Sequence, residues 1–150
     1  MMASFQELES QGYPIPEVVV FELQNNTGGN WNYSWRTGID SNANPIHTGM
    51  YMHMWTKRPK ETLEFPDYTF EKHFGESTCS YPPREALLDY IQGYYKHHGC
   101  NDKWVRFNTV VKNVVWDAKK NRFNLTASDS LKEYTEQFHQ VIVANGHLST

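Results

Sequence analysis

Residues 17–22 read Glu-Val-Val-Val-Phe-Glu, and this short stretch decides the fold. Four consecutive apolar residues, Val18 to Phe21, lack the alternation of a half-exposed strand. They suit a β-strand covered on both faces, as in a parallel sheet packed between helices. Glu22 closes the run. A carboxylate at the end of the second strand of a βαβ unit accepts hydrogen bonds from the ribose hydroxyls of a dinucleotide. The alternative is a solvated strand-end carboxylate.

Upstream, residues 3–11 read as the end of a helix with Ala3, Phe5 and Leu8 turned inward, stopped by Gly12, Pro14 and Pro16. Helix, turn and buried strand together read as the second half of a βαβ unit, whose first strand is expected upstream of Met1. Downstream comes "GGNWNY", residues 28–33. Gly28 and Gly29 would let the backbone approach a pyrophosphate or a flat ring closely. Trp31, Tyr33 and Trp35 alternate, as a stacking wall or as the core-facing side of a strand.

Residues 24–80 show little periodicity and hold many of the Asn, Gly, Trp, Tyr and Met residues, which marks a functional or ligand-packed segment. Residues 83–98 carry the clearest helical pattern, with Leu87, Leu88, Ile91, Tyr94, Tyr95 and His98 on one face. Pro83 suits its first turn and Gly99 its end, while Gly93 weakens its middle. Residues 105–107, 110–116, 122–127 and 133–144 read as strands, with turns at 117–121 and 128–132. The last strand holds the apolar run Val141 to Ala144, fit for the interior of the parallel sheet.

Composition excludes several classes. A net charge of -3 without basic runs argues against a nucleic-acid binder. Cys79 and Cys100 are too few for a disulfide framework. No apolar run approaches a membrane span and no signal peptide opens the chain, so a cytoplasmic protein is expected. His97, His98, Cys100 and Asp102 are ligand-type residues, but adjacent helical histidines diverge and no second pair follows, so no metal is expected. G-x-S-x-G does not occur. The nine glycines never form G-x-G-x-x-G, the loop whose N–H groups hold a pyrophosphate. That loop is expected before Met1, on the strand that the βαβ reading already lacks.

The segments "IPEVVVFELQNNTGGNWNY" (15–33), "WRTGID" (35–40), "PIHTGMYMHMW" (45–55), "PKETLEFPDYTFEKHFG" (59–75), "SYPPREALLDYI" (80–91) and "VIVANGHLST" (141–150) resemble, in this order, the N-terminal FAD-binding lobe of flavin-containing monooxygenases. The nearest type is the bacterial and fungal one that includes trimethylamine monooxygenases. The resemblance implies an α/β fold: a partial Rossmann-like FAD-binding domain over residues 1–150, its parallel sheet joined by an antiparallel β-meander. It implies FAD and NADPH as cofactors, with oxygen activated as a flavin C4a-hydroperoxide and passed to an amine nitrogen or sulfide sulfur. The implied partners are thus O2 and a small nucleophilic amine or sulfide, and a second copy of the chain is a further candidate.

By the same resemblance Glu22 matches the acidic residue on the adenosine ribose, and Gln24 a neighbouring FAD contact. Gly28 and Gly29 precede Asn30 and Trp31, the pair beside the flavin. His47 matches a further FAD contact, Val111 the residue whose backbone meets the adenine, and Trp55 one near the nicotinamide cofactor. Gly146 belongs to the segment closing the domain, where Asn145 replaces the usual Thr. Lys57 stands where the family carries its catalytic Asn, and a cation cannot reproduce an amide's paired donor and acceptor. With that exchange and without the loop, the chain by itself is expected to be inactive. The alternative is a non-catalytic remnant serving as a protein-interaction module.

Overall fold

The computed structural model describes residues 2–39, 45–46, 49–99 and 104–146. In chain order its elements are α1 (Met2–Ser10), β1 (Val20–Phe21), β2 (Gly38–Ile39), β3 (Pro45–Ile46), α2 (Phe70–Phe74), α3 (Arg84–His97), β4 (Val105–Arg106), β5 (Val110–Asp117), β6 (Arg122–Ser128) and β7 (Glu133–Phe138). Single 3-10 turns occupy Gly29–Trp31 and Lys60–Thr62.

The expected mixed architecture is present. β1 pairs in parallel with β4, Val20 opposite Val105 and Phe21 opposite Arg106. β5, β6 and β7 form the antiparallel meander. Two aspartates build its turns by accepting backbone N–H bonds, as short polar side chains do where the chain reverses. Asp117 Oδ1 takes the N–H groups of Lys119 and Lys120, and Asp129 Oδ1 those of Leu131 and Lys132. The two Asp129 contacts hold its carboxyl below its ordinary value.

Two expectations need correction. The strand read over residues 17–22 pairs only at Val20 and Phe21, and Val18 to Phe21 are half-buried rather than covered on both faces. The strand read over 133–144 ends at Phe138; Ile142 and Val143 lie 74% and 77% exposed in a segment without regular structure. Both discrepancies have one physical cause. An interior strand is covered only when neighbours flank it, and among the described residues β1 has one neighbouring strand and residues 141–144 have none.

The aromatic core lies elsewhere, between α2 and α3. Tyr68, Phe70, Leu87 and Tyr90 are buried, and Trp31, Leu63, Phe65 and Tyr94 pack around them. Phe70 stacks on Tyr90 with ring centroids 4.0 Å apart, and Phe65 on Tyr94 at 3.7 Å. The Tyr90 hydroxyl accepts the Phe65 N–H at 2.8 Å and donates to the Tyr68 carbonyl. Helix α2 was not expected from the sequence. Thr69 caps it by accepting the Lys72 N–H at 3.1 Å, and Gly75 ends it.

Helix α3 follows its expected span closely, with Pro83 at the N-cap rather than inside the first turn. Leu87 and His98 are buried as expected, and so is Tyr90, which the sequence reading left off the buried face. His98 Nε2 lies 2.8 Å from Asp67 Oδ2, tying the end of the helix to the turn before α2. Among the described residues no helix is long and apolar enough to cross a membrane, and no group of metal-ligating side chains is assembled.

Candidate functional site

The site begins at the carboxyl end of the parallel pair, the side where open α/β sheets bind ligands. The Glu22 N–H donates to the Arg106 carbonyl at 3.0 Å, and the Glu22 carbonyl accepts the Thr109 N–H at 3.0 Å. The strand end is thereby fixed against the segment leading into β5. The Glu22 side chain folds back, Oε1 accepting the Gln24 N–H at 2.8 Å. Its second oxygen has no hydrogen-bond partner among the described residues.

Gln24 connects this carboxylate to the glycine turn. Its Nε2 donates to the Gly29 carbonyl at 3.1 Å, and its Oε1 accepts from Asn32 Nδ2 at 2.8 Å. Both ends of the amide are thus used in bracing the turn. Gly28 and Gly29 differ in role. Gly28 has φ 122°, and a Cβ there would stand 2.4 Å from Leu88 Cδ1, so its bare face meets α3. At Gly29 a Cβ would meet nothing within 4 Å, so the open approach belongs to this glycine. Asn30 is half-buried, and its amide has no partner among the described residues. Trp31 packs one side on the aromatic core while remaining half-exposed.

Sequence reading missed the residue that ties this turn to the next wall, Arg84. It is 8% exposed, Nη1 donating to the Trp31 carbonyl at 3.0 Å and Nε to the Met52 carbonyl at 3.3 Å. Its guanidinium lies 5.3 Å from the centroid of the Tyr33 ring. Its Nη2 donates to Glu85 Oε1 at 2.8 Å. Glu85 is held below its ordinary carboxylate value, first by a backbone N–H bond at the helix start and then by Arg84. The available signal was position. A cation at the first residue of a helix opposes the macrodipole, so Arg84 needs partners elsewhere.

Trp55 belongs to that second wall. It bridges Pro83 in antiparallel fashion and is 59% exposed. Next to it, the buried Thr56 Oγ1 has no hydrogen-bond partner among the described residues. Lys57 is exposed and makes no side-chain hydrogen bond, ion pair or ring contact with a described residue. Val111 is 41% exposed on β5, opposite Ala127 and beside an irregularity in the ladder. Gly146 is exposed in the irregular stretch 141–146, and among the described residues no hydrogen bond joins it to Glu22. His47 lies outside the described residues. A cavity of about 330 Å³ opens beside the loop, between Asn25, Thr27, Gln92, Lys96 and Phe107, and none of the expected site residues lines it.

The arrangement suits a nucleotide. A strand-end carboxylate with an unused oxygen can accept a ribose diol, and an open glycine beside a half-exposed indole can take a flat ring. The donor set therefore fits the adenosine and ring portions of FAD. A parallel strand pair joined to an antiparallel meander defines a mixed α/β protein.

Comparison with known proteins narrows the class. The sequence profile of the flavin-binding monooxygenase-like family matches residues 14–150, and the chain belongs to that family. It is 49% identical to trimethylamine monooxygenase of Roseovarius nubinhibens, over 99% of this chain and 34% of that protein. It is 30% identical to senecionine N-oxygenase of Tyria jacobaeae, over 87% of this chain and 28% of that protein. The crystal structure of Tmm from Pelagibacter sp. strain HTCC7211 superposes with a TM-score of 0.87 at 41% identity, over 97% of this chain and 33% of that one. The chain thus spans about a third of the length of the relatives it matches. The fold is that of the Rossmann-like domain of flavin-dependent monooxygenases.

Proposed function

We propose that residues 1–150 form part of the FAD-binding domain of an NADPH-dependent monooxygenase that oxygenates an amine nitrogen or a sulfide sulfur. The observation that carries this reading is Glu22, at the carboxyl end of β1 with one oxygen unused, hydrogen-bonded through Gln24 to the open Gly29 turn. The 49% identity to a trimethylamine monooxygenase supports an amine as substrate. When bound, FAD supplies the redox chemistry that these side chains lack: electrons taken from NADPH, and O2 activated for transfer to a soft nucleophile.

The chain's own residues bind and orient. Glu22 would take the ribose hydroxyls, Asn30 and Trp31 would hold the ring system, and Val111 would offer its backbone to the adenine. By the family resemblance His47 would add a further contact, Trp55 would serve the nicotinamide cofactor, and Gly146 would belong to the segment that closes the domain. FAD titration of the chain, followed by flavin and tryptophan emission, tests the binding. Saturable quenching that weakens about tenfold or more in Glu22→Gln is expected, since a bond to a charged group contributes about 1.5–3 kcal/mol. Quenching unaffected by Glu22→Gln would overturn the assignment.

Lys57 favours a second reading, a non-catalytic interaction module, because a flexible cation replaces the amide of the family's active site. Lys57→Asn in the longest natural reading frame separates the two. If NADPH oxidation stays uncoupled from product formation in both forms, the module reading gains; if product appears, the enzyme reading stands.

A further inference from the structure

We infer that Arg84 is a positioning residue which couples the Gly29–Trp31 turn to the Met52–Thr56 segment, so that the two walls of the site move as one body. The two segments are far apart in sequence and meet on one guanidinium. Nη1 holds the Trp31 carbonyl at 3.0 Å and Nε the Met52 carbonyl at 3.3 Å. The backbone around Arg84 grips the second wall again. Its own N–H donates to the Met54 carbonyl at 2.8 Å, and the Thr56 N–H donates to the Pro82 carbonyl at 3.0 Å. Trp55 is bridged to Pro83 between these bonds.

A guanidinium is a planar fork whose donors diverge at fixed angles, so it can set the spacing of two carbonyls; an ammonium on a flexible stem cannot. Burial makes the arrangement obligatory, because a buried cation without hydrogen bonds is strongly disfavoured. Glu85 offsets the charge from the helix side, and the Tyr33 ring covers the guanidinium. The charge is therefore neutralised locally, and the two remaining bonds serve geometry. This role rests on the flavin reading for its ligand, and on the bonds alone for the coupling.

Arg84→Lys and Arg84→Met in the full chain test it, with Asp117→Ala as a control that weakens the β5–β6 turn away from both walls. Two readouts are taken, hydrogen exchange of peptides covering residues 29–33 and 51–56, and the FAD dissociation constant. In both Arg84 variants the two peptides are expected to exchange about tenfold faster together, with FAD binding about tenfold weaker. Asp117→Ala is expected to lower the melting temperature while leaving both readouts near wild type. Exchange that accelerates in one peptide only, or an Arg84→Lys variant indistinguishable from wild type, overturns the coupling. If wild type binds no FAD, the flavin reading fails, and the exchange data alone decide the role of Arg84.

Discussion

Leu88 of α3 occupies the space that a side chain on Gly28 would need: a Cβ built on Gly28 stands 2.4 Å from Leu88 Cδ1. The glycine turn is thus seated on the helix, and its inward face is a packing contact. Gly28 also has φ 122°, outside the region that L-residues adopt at low cost.

Gly28→Ala therefore meets two obstacles, backbone strain of about 1–3 kcal/mol and overpacking of about 1–3 kcal/mol. A loss of about 2–4 kcal/mol in denaturant unfolding is expected. Adding Leu88→Ala should remove the clash and leave the strain, so the double variant loses less than the two single losses combined. Strict additivity would show that Leu88 does not confine the turn.

Gly93 poses the opposite problem. In a helix interior Gly→Ala gains about 1 kcal/mol from propensity. Here a Cβ would fall 2.2 Å from His73 Cε1 and 3.1 Å from the Tyr68 hydroxyl. His73 is held there by the Tyr68 hydroxyl at 2.8 Å on Nδ1 and by Asp89 Oδ2 at 3.3 Å on Nε2. Gly93→Ala is expected to destabilise by about 1–3 kcal/mol. In a His73→Ala background the same change should stabilise, and a melting series across the four proteins reads the reversal. An equal effect in both backgrounds would remove His73 as the cause.

How far this was legible in the sequence depends on which neighbours each element needs. Helix α3 and the meander were readable because their signals are local: apolar spacing, Pro83, Gly99 and the Asp117 and Asp129 turns. The run Val141 to Ala144 misled, because its composition specifies an interior strand only where flanking strands cover it. Glu22 and the Gly28–Trp31 turn were singled out by motif. Arg84 was not, since its partners Trp31 and Met52 lie far off in sequence. Gly93 read as a weak point in the helix because nothing local reveals the imidazole that lies against it.

The Lys60–Glu71 pair makes stability depend on pH in a definite direction. The Lys60 ammonium, in a residue 6% exposed, donates to Glu71 Oε1. That bond holds the Glu71 carboxyl below its ordinary value of 4.5 and raises Lys60 above 10.5. A carboxyl depressed in the folded state contributes stability that is complete above its unfolded value and lost as pH falls through the folded one. Melting temperature is therefore expected to fall steeply below about pH 4.5, and Glu71→Gln should flatten that fall. For Lys60 the sign reverses, with its contribution intact below pH 10.5 and lost only above it. A Glu71→Gln protein with an unchanged acid limb would place the acid sensitivity in other carboxylates, Asp129 first among them.

Tyr90 supplies the last prediction, because its ring and its hydroxyl do separable work. The ring stacks on Phe70 at 4.0 Å and Phe65 at 5.8 Å, fully buried. The hydroxyl accepts the Phe65 N–H and donates to the Tyr68 carbonyl, closing the loop between them onto α3. Burial, the largest cause, pushes the phenol above its ordinary value, so it stays a neutral donor through the physiological range. Tyr90→Phe keeps the stacking and strands the half-buried Phe65 N–H and the buried Tyr68 carbonyl, each costing about 1–3 kcal/mol when unpaired. A loss of about 2–4 kcal/mol is expected in urea unfolding, with the m-value unchanged because the exposed surface is the same. Tyr90→Leu should cost more, since it also removes the aromatic contacts of about 0.5–1.5 kcal/mol each. If Tyr90→Phe left the midpoint unmoved, the two backbone groups would have found water, and the segment between Phe65 and Tyr68 would be open to solvent.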